Sequence, residues 1–113
     1  MLLSGCEPEQ RVTLTVKVVE VLIEVVTKHA QITEFLVADS SACAICLTTG
    51  AEHEAMTPGS LVRLVNAATA VENGRMVLRL DAFSSLQPAE DEGVMIINLQ
   101  DNISWVQREL VRV

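Results

Sequence analysis

Between Ile32 and Arg79 the chain is cut by turn residues into short apolar segments, a spacing that suits β-strands and leaves no room for long helices. Ile32–Asp39 and Ala42–Thr48 are rich in branched and small apolar side chains and flank the turn Ser40-Ser41. Ala51–Met56 can make barely a turn of helix before Thr57-Pro58-Gly59 redirects the chain. Leu61–Val71 and Arg75–Leu80 then flank Glu72-Asn73-Gly74, and Asn-Gly is the strongest short hairpin signal. Upstream lies Val12–Val26, the longest apolar-rich run. Val and Thr recur in it with period two, and β-branched residues pack well on a pleated surface. Thr13, Thr15, Lys17, Glu20 and Glu24 interrupt this run, and a membrane helix needs roughly 20 predominantly apolar residues, so the run is no transmembrane span.

This order predicts an all-β chain: a five-stranded OB-fold barrel with a short helical turn between its third and fourth strands. A chain of 113 residues can bury a core as one domain without metal or disulfides, and half of its residues are apolar, which excludes general disorder. The expected organisation is a loose tail over 1–10, the barrel over 11–88, an acidic linker over 89–93 and an extension over 94–113 packed on the barrel. In that extension Val94–Leu99 reads as a strand and Gln100-Asp101-Asn102 as a turn. Ile103–Val113 fits a strand, although Val106, Leu110 and Val113 also fit helical spacing.

Several motifs offer chemistry and then withdraw it. Leu3-Ser4-Gly5-Cys6 has the form of a lipoprotein cleavage box, but the apolar core of a secretory signal takes roughly 7–15 residues. The five residues before Cys6 are too few, and the expectation is an intracellular protein, cytoplasmic or nuclear. Cys43 and Cys46 are spaced as C-x-x-C, yet within a strand an offset of three sends the two thiols to opposite faces. They can share neither a metal nor a disulfide there, and His29 and His53 are not placed to help. No metal site and no cofactor is expected. Glu52-His53-Glu54 reads as a solvated loop, and Ser40-Ser41 and Ser84-Ser85 lack the strained strand-to-helix setting of a nucleophilic serine. The chain is not expected to be an enzyme.

Alternation sorts the strands into faces. Phe35 and Val37 share one side of the second strand, with Glu34, Leu36 and Ala38 on the other. In the third strand Cys43, Ile45 and Leu47 form the bulky set and Ala42, Ala44, Cys46 and Thr48 the small one. In the fifth, Met76, Leu78 and Leu80 oppose Arg75, Val77, Arg79 and Asp81. A small barrel must be packed solid, so the bulky sets are assigned inward: Phe35, Val37, Ile45, Leu47, Leu64, Met76, Leu78 and Leu80. On this reading Cys43 faces in and Cys46 faces out.

The sequence resembles the single-domain OB-fold proteins of the SOSS B-subunit and replication protein A type, and most of all a small plant-type OB-fold family. The residues that carry the likeness are Leu14–Glu20, Phe35–Asp39, Met56-Thr57-Pro58-Gly59, Asn73-Gly74 with Met76-Val77-Leu78, and Asp101–Ser104 followed by Glu109-Leu110. The resemblance covers roughly residues 11–113. It implies binding of single-stranded DNA or RNA, and it turns the extension into a β-hairpin returning to the barrel. Trp105, among apolar neighbours, is then a packing anchor.

Stacking on aromatic side chains is the usual source of single-strand affinity, and this chain holds only Phe35, Phe83 and Trp105. Its net charge is −7, the wrong sign for phosphate attraction. Most of that acidity lies in the tails, notably Glu90-Asp91-Glu92: between Arg11 and Pro88 six cations face eight carboxylates, leaving −2. Two functions therefore stand side by side. The first is a nucleic-acid-binding module gripping a single strand through Lys28, Arg63, Arg75 and Arg79, the last two on one face of the fifth strand. The second is an interaction subunit or homodimer that has lost nucleic-acid binding and meets its protein partner through Leu36, Ala38, Ala44 and Cys46.

Overall fold

The long first strand closes the molecule. The computed structural model describes residues 1–29, 31–50, 55–89 and 96–105. In it β1 (Arg11–Val26) pairs antiparallel with β4 (Leu61–Glu72) through its first half and with β2 (Gln31–Ala38) from Lys17 onward. Next to β2 lies β3 (Cys43–Thr48), antiparallel; β5 (Arg75–Leu80) runs parallel to β3 and antiparallel to β4. The ring β1-β2-β3-β5-β4 is thus shut by the β1–β4 pairing, and the molecule is the expected five-stranded OB barrel. A short sixth strand, β6 (Ser85–Pro88), adds to β4 beside Val62–Val65. No helix among the described residues is long and apolar enough to cross a membrane.

Local chemistry sets the turns. Asn73 (φ 54°) and Gly74 (φ 78°) both lie in the left-handed region, which the Asn-Gly pair reaches at little cost, and they join β4 to β5. In Thr57-Pro58-Gly59-Ser60 the Ser60 amide donates to the Thr57 carbonyl (2.9 Å) with Gly59 at φ 91°. The Gly59 amide then donates to the Val18 carbonyl (2.7 Å), pinning the turn to β1. Most of the expected Ala51–Met56 turn lies outside the described residues, but Met56 is buried in the core.

One strand breaks its alternation. Leu64 pairs with Leu14, but Ala67 pairs with Val12, so Val65 and Asn66 together oppose Thr13. Asn66 takes a left-handed φ of 57°, and its amide donates to Thr13 Oγ1 (3.1 Å). This bulge moves the buried side of β4 from Val62 and Leu64 to Ala67 and Thr69.

Phe35, Val37, Leu64, Met76, Leu78 and Leu80 fill the core as expected, with Val12, Leu14, Val16 and Val18 from β1. β3 is a correction. Antiparallel partners share a face, and Phe35 lies opposite Cys46 and Val37 opposite Ala44, so the small set Ala42, Ala44 and Cys46 points into the barrel. Large residues of β2 meet small ones of β3, and the narrow interior is filled without Ile45 or Leu47. Cys43 and Ile45 stand on the outer face and are nevertheless buried.

The termini supply the cover. Residues 1–10, expected as a loose tail, are docked: Leu3–Gly5 forms a 3-10 turn, and Leu3 is fully buried in the core. Thr69 exchanges backbone bonds with Glu9 and Gln10, and its hydroxyl donates to the Glu7 carbonyl. The expected C-terminal hairpin is not what the described part of 94–113 forms: residues 96–102 lack a strand ladder, and Ile103–Trp105 is a 3-10 turn lying against β3 and β5. This segment follows β3 through single bonds, with the Cys43 amide donating to the Asp101 carbonyl (3.0 Å) and the Ile45 amide to Ser104 Oγ (2.9 Å). A single bridge between Cys43 and Asn102 is followed by a bond to the Ser104 side chain, so no ladder propagates.

Asp39 ties these pieces together. Its side chain is wholly buried; Oδ2 accepts from the Leu3 amide (2.7 Å), and Oδ1 accepts from the Ser41 amide (2.8 Å), the Ser41 hydroxyl (2.6 Å) and the Ala42 amide (3.2 Å). Its backbone carbonyl accepts from the Asn98 amide (2.9 Å). Asp39→Ala would strand three amides and should lower the unfolding free energy by about 3–5 kcal/mol in urea titrations. A loss below about 1 kcal/mol would show that water replaces the carboxylate freely. In contrast, the buried hydroxyls of Thr33 and Thr48 have no partner among the described residues. Thr48→Val removes one of them in nearly the same shape, and a rise of about 1 kcal/mol in the same assay is expected.

Candidate functional site

The four cations singled out from the sequence do not converge. Lys28 lies beyond the end of β1 at the tip of the β1–β2 hairpin and is exposed. Arg63 projects from β4 between the buried Val62 and Leu64, with Thr15 of β1 and Gln87 of β6 as its cross-strand neighbours. Arg75 and Arg79 share the outer face of β5, and both are ion-paired: Arg75 to Glu34 of β2, and Arg79 Nη1 to Glu72 Oε1 of β4 (3.2 Å). The Glu34 side chain is only 10% exposed, so removing Arg75 would leave a carboxylate almost out of water with no counter-charge. These arginines hold the sheet's own acids, as cross-strand charges commonly do.

The expected protein-contact set fails on burial. Ala38, Ala44 and Cys46 have no exposed surface, and Leu36 is only partly exposed. The register explains it: Ala44 and Cys46 face the core opposite Val37 and Phe35, while Ala38 and Leu36 are flanked by β1 and β3. Exposed apolar side chains gather instead on the outer half of the β1–β2 hairpin, where Val21, Ile23, Val25, Val26 and Ile32 stand clear of the barrel. There β1 has left β4 and is paired only to β2.

A second cluster, outside the set expected from the sequence, lies at the other end of β1. Arg11 grips Asp81 with both guanidinium nitrogens (2.8 and 2.7 Å) and lies over the Phe83 ring, 5.8 Å from its centroid. The Arg11 hydrogen bonds hold the Asp81 carboxyl well below the usual carboxylate range. Asp81 Oδ1 also accepts from the Phe83 amide (3.0 Å), and Asn66 Nδ2 donates to the Phe83 carbonyl (3.1 Å). The signal was legible as an Asp followed by Ser after a strand, the pattern of a side-chain-closed turn. The partners were not, because Arg11 and Asn66 arrive from distant parts of the chain.

The cysteines are separated as their spacing required, with the sides exchanged. Burial pushes the Cys46 thiol up to about 12. The Cys43 thiol donates to the Leu99 carbonyl (3.5 Å) and is raised by burial and then by Asp101. Among the described residues no group of three or more His, Cys, Asp or Glu is arranged to hold a metal ion.

A family model described as single-stranded DNA binding protein Ssb-like, OB fold, matches residues 7–88, which is the barrel just described with β6 and the residues leading into β1. The chain belongs to this family. Among solved structures it is similar to a hypothetical protein from Arabidopsis thaliana, at 23% identity and a TM-score of 0.82, covering 95% of this chain and 83% of that one. It is also similar to an OB domain from Thermoplasma acidophilum (15% identity, TM-score 0.69, 85% and 92% covered). A chain of a replication protein A heterotrimer bound to single-stranded DNA matches at 8% identity and a TM-score of 0.71, covering 87% of this chain and 26% of that one. At these identities the likenesses establish the fold. No curated protein matches the chain.

Cys46 offers a clean pH test. Its raised folded value favours the neutral thiol, so its contribution to stability is complete below the ordinary thiol value near 9 and is lost as pH rises toward 12. Stability should fall across that window, and the fall should be shallower in Cys46→Ala. Equal slopes in the two proteins, measured by urea unfolding, would contradict the buried placement.

Proposed function

We propose that this protein is a non-catalytic intracellular module, cytoplasmic or nuclear, that binds single-stranded nucleic acid. The observation that carries the reading is the family match over residues 7–88, on a barrel whose closure and turn chemistry are those of the fold. The replication protein A heterotrimer, structurally similar, is itself bound to single-stranded DNA. Lys17, Lys28 and Arg63 bring positive charge to the surface with no ion pair among the described residues. Arg75 and Arg79 join only by leaving Glu34 and Glu72, so their share of the attraction is smaller than a count of charges implies.

With few free cations and few exposed aromatics, binding is modest and set by phosphates. A fluorescence-anisotropy titration with oligo-dT and the matching oligo-U should show affinity falling with salt. For two or three phosphate contacts, log K against log salt should slope at about −1.4 to −2. No binding of either oligomer at low salt would sink this reading. A second reading, an interaction subunit without nucleic acid, is favoured by the exposed apolar half of the β1–β2 hairpin, since such patches mark contacts with other proteins.

A further inference from the structure

We propose that the single strand lies on the β1–β4–β6 face, with a base stacked on Phe83 and phosphates at Lys17 and Arg63. This rests on the single-strand reading above and adds to it a surface on the β1 side of β4, with Ala68 standing between Arg11 of that surface and the ion-paired Arg79 of β5. The first observation is Phe83 itself. Its residue is 77% exposed, which leaves the ring open to a stacking partner. Its backbone is fixed: the amide is tied to Asp81, the carbonyl to Asn66, and the neighbouring Ser84 hydroxyl donates to the Asn66 carbonyl (2.9 Å). Arg11 backs one face of the ring at 5.8 Å, and the Asp81 carboxylate holds that guanidinium in place. With the backbone beneath the ring already held, a stacking base orders a side chain and not a loop.

The second observation is charge. The stretches Arg11–Lys17, Leu61–Val65 and Ser85–Pro88, which build this face, contain no Asp or Glu. Lys17 and Thr15 alternate outward between the buried Val16, Val18 and Leu14, and register places Arg63 beside Thr15 and Gln87. Asp81 borders the face and is occupied by Arg11. Among the described residues a net cationic strip with hydroxyl and amide donors therefore runs along β1, on a protein whose net charge is −7. From Lys17 to Arg11 is six residues of strand, about 20 Å. That length suits about four nucleotides, the short end of OB-fold site sizes.

The test is anisotropy with fluorescein-labelled dT8 and U8 at low salt, on wild type and on Phe83→Ala, Phe83→Trp, Lys17→Ala, Arg63→Ala and Arg75→Gln. Phe83→Ala should weaken binding at least about fivefold, and Phe83→Trp should retain it. Lys17→Ala and Arg63→Ala should each reduce the salt slope by about 0.7. In amide NMR spectra of the wild type, dT8 should shift Thr15, Arg63, Phe83 and Gln87 and leave Ile45 and Val77 unmoved. Wild-type binding that is indifferent to Phe83, Lys17 and Arg63, or lost in Arg75→Gln with shifts at Ile45 and Val77, would overturn the placement alone. Failure of the wild type to bind either oligomer would overturn it together with the reading it rests on.

Discussion

The buried carboxylate of Asp39 is the point on which the two ends of the chain and the β2–β3 turn all depend. A parallel β3–β5 contact leaves the start of β3 with an edge that β5 does not reach, since their pairing begins at Ile45. That edge must be satisfied by something, because buried amides without acceptors are costly. The chain uses its own C-terminal residues, with Asp101 and Ser104 accepting from Cys43 and Ile45. Asp39 holds both this segment, through Asn98, and the N-terminal turn, through Leu3, so that Leu3 can enter the core.

That arrangement also explains why β3 is buried on both faces. Its inner side chains are small because Phe35 and Val37 already fill the space opposite them. Its outer side chains can be bulky because the C-terminal segment lies along that side. A strand covered on both faces shows no alternation in burial, and bulk alone does not reveal which face is the core.

For function, the decisive quantity is the number of charges left unpaired. Arg11, Arg75 and Arg79 are each matched to a carboxylate. The Arg75–Glu34 pair lies largely out of water, where separating it costs more than at an open surface. On the proposed reading, attraction for phosphate therefore falls to positions whose neighbours are neutral. The family supplies the barrel, and the local distribution of acids decides which side of it can approach a polyanion.

The sequence by itself determined the five barrel strands, their succession and the turns at Asn73-Gly74 and Thr57-Pro58-Gly59, because period-two patterning and turn chemistry act over a few residues. It determined the inward sets of β2 and β5 and the opposed placement of Cys43 and Cys46. Only the tertiary structure decided which of those two thiols faces the core, because register follows from Phe35 and Val37 on the neighbouring strand. It alone decided the bulge at Asn66, the docking of residues 1–10 and the pairing of Arg75 with Glu34, 41 residues apart. The physical reason is range: dihedral preference and alternation are local, whereas side-chain volume, ion pairing and the satisfaction of buried amides depend on groups that meet only once the barrel has closed.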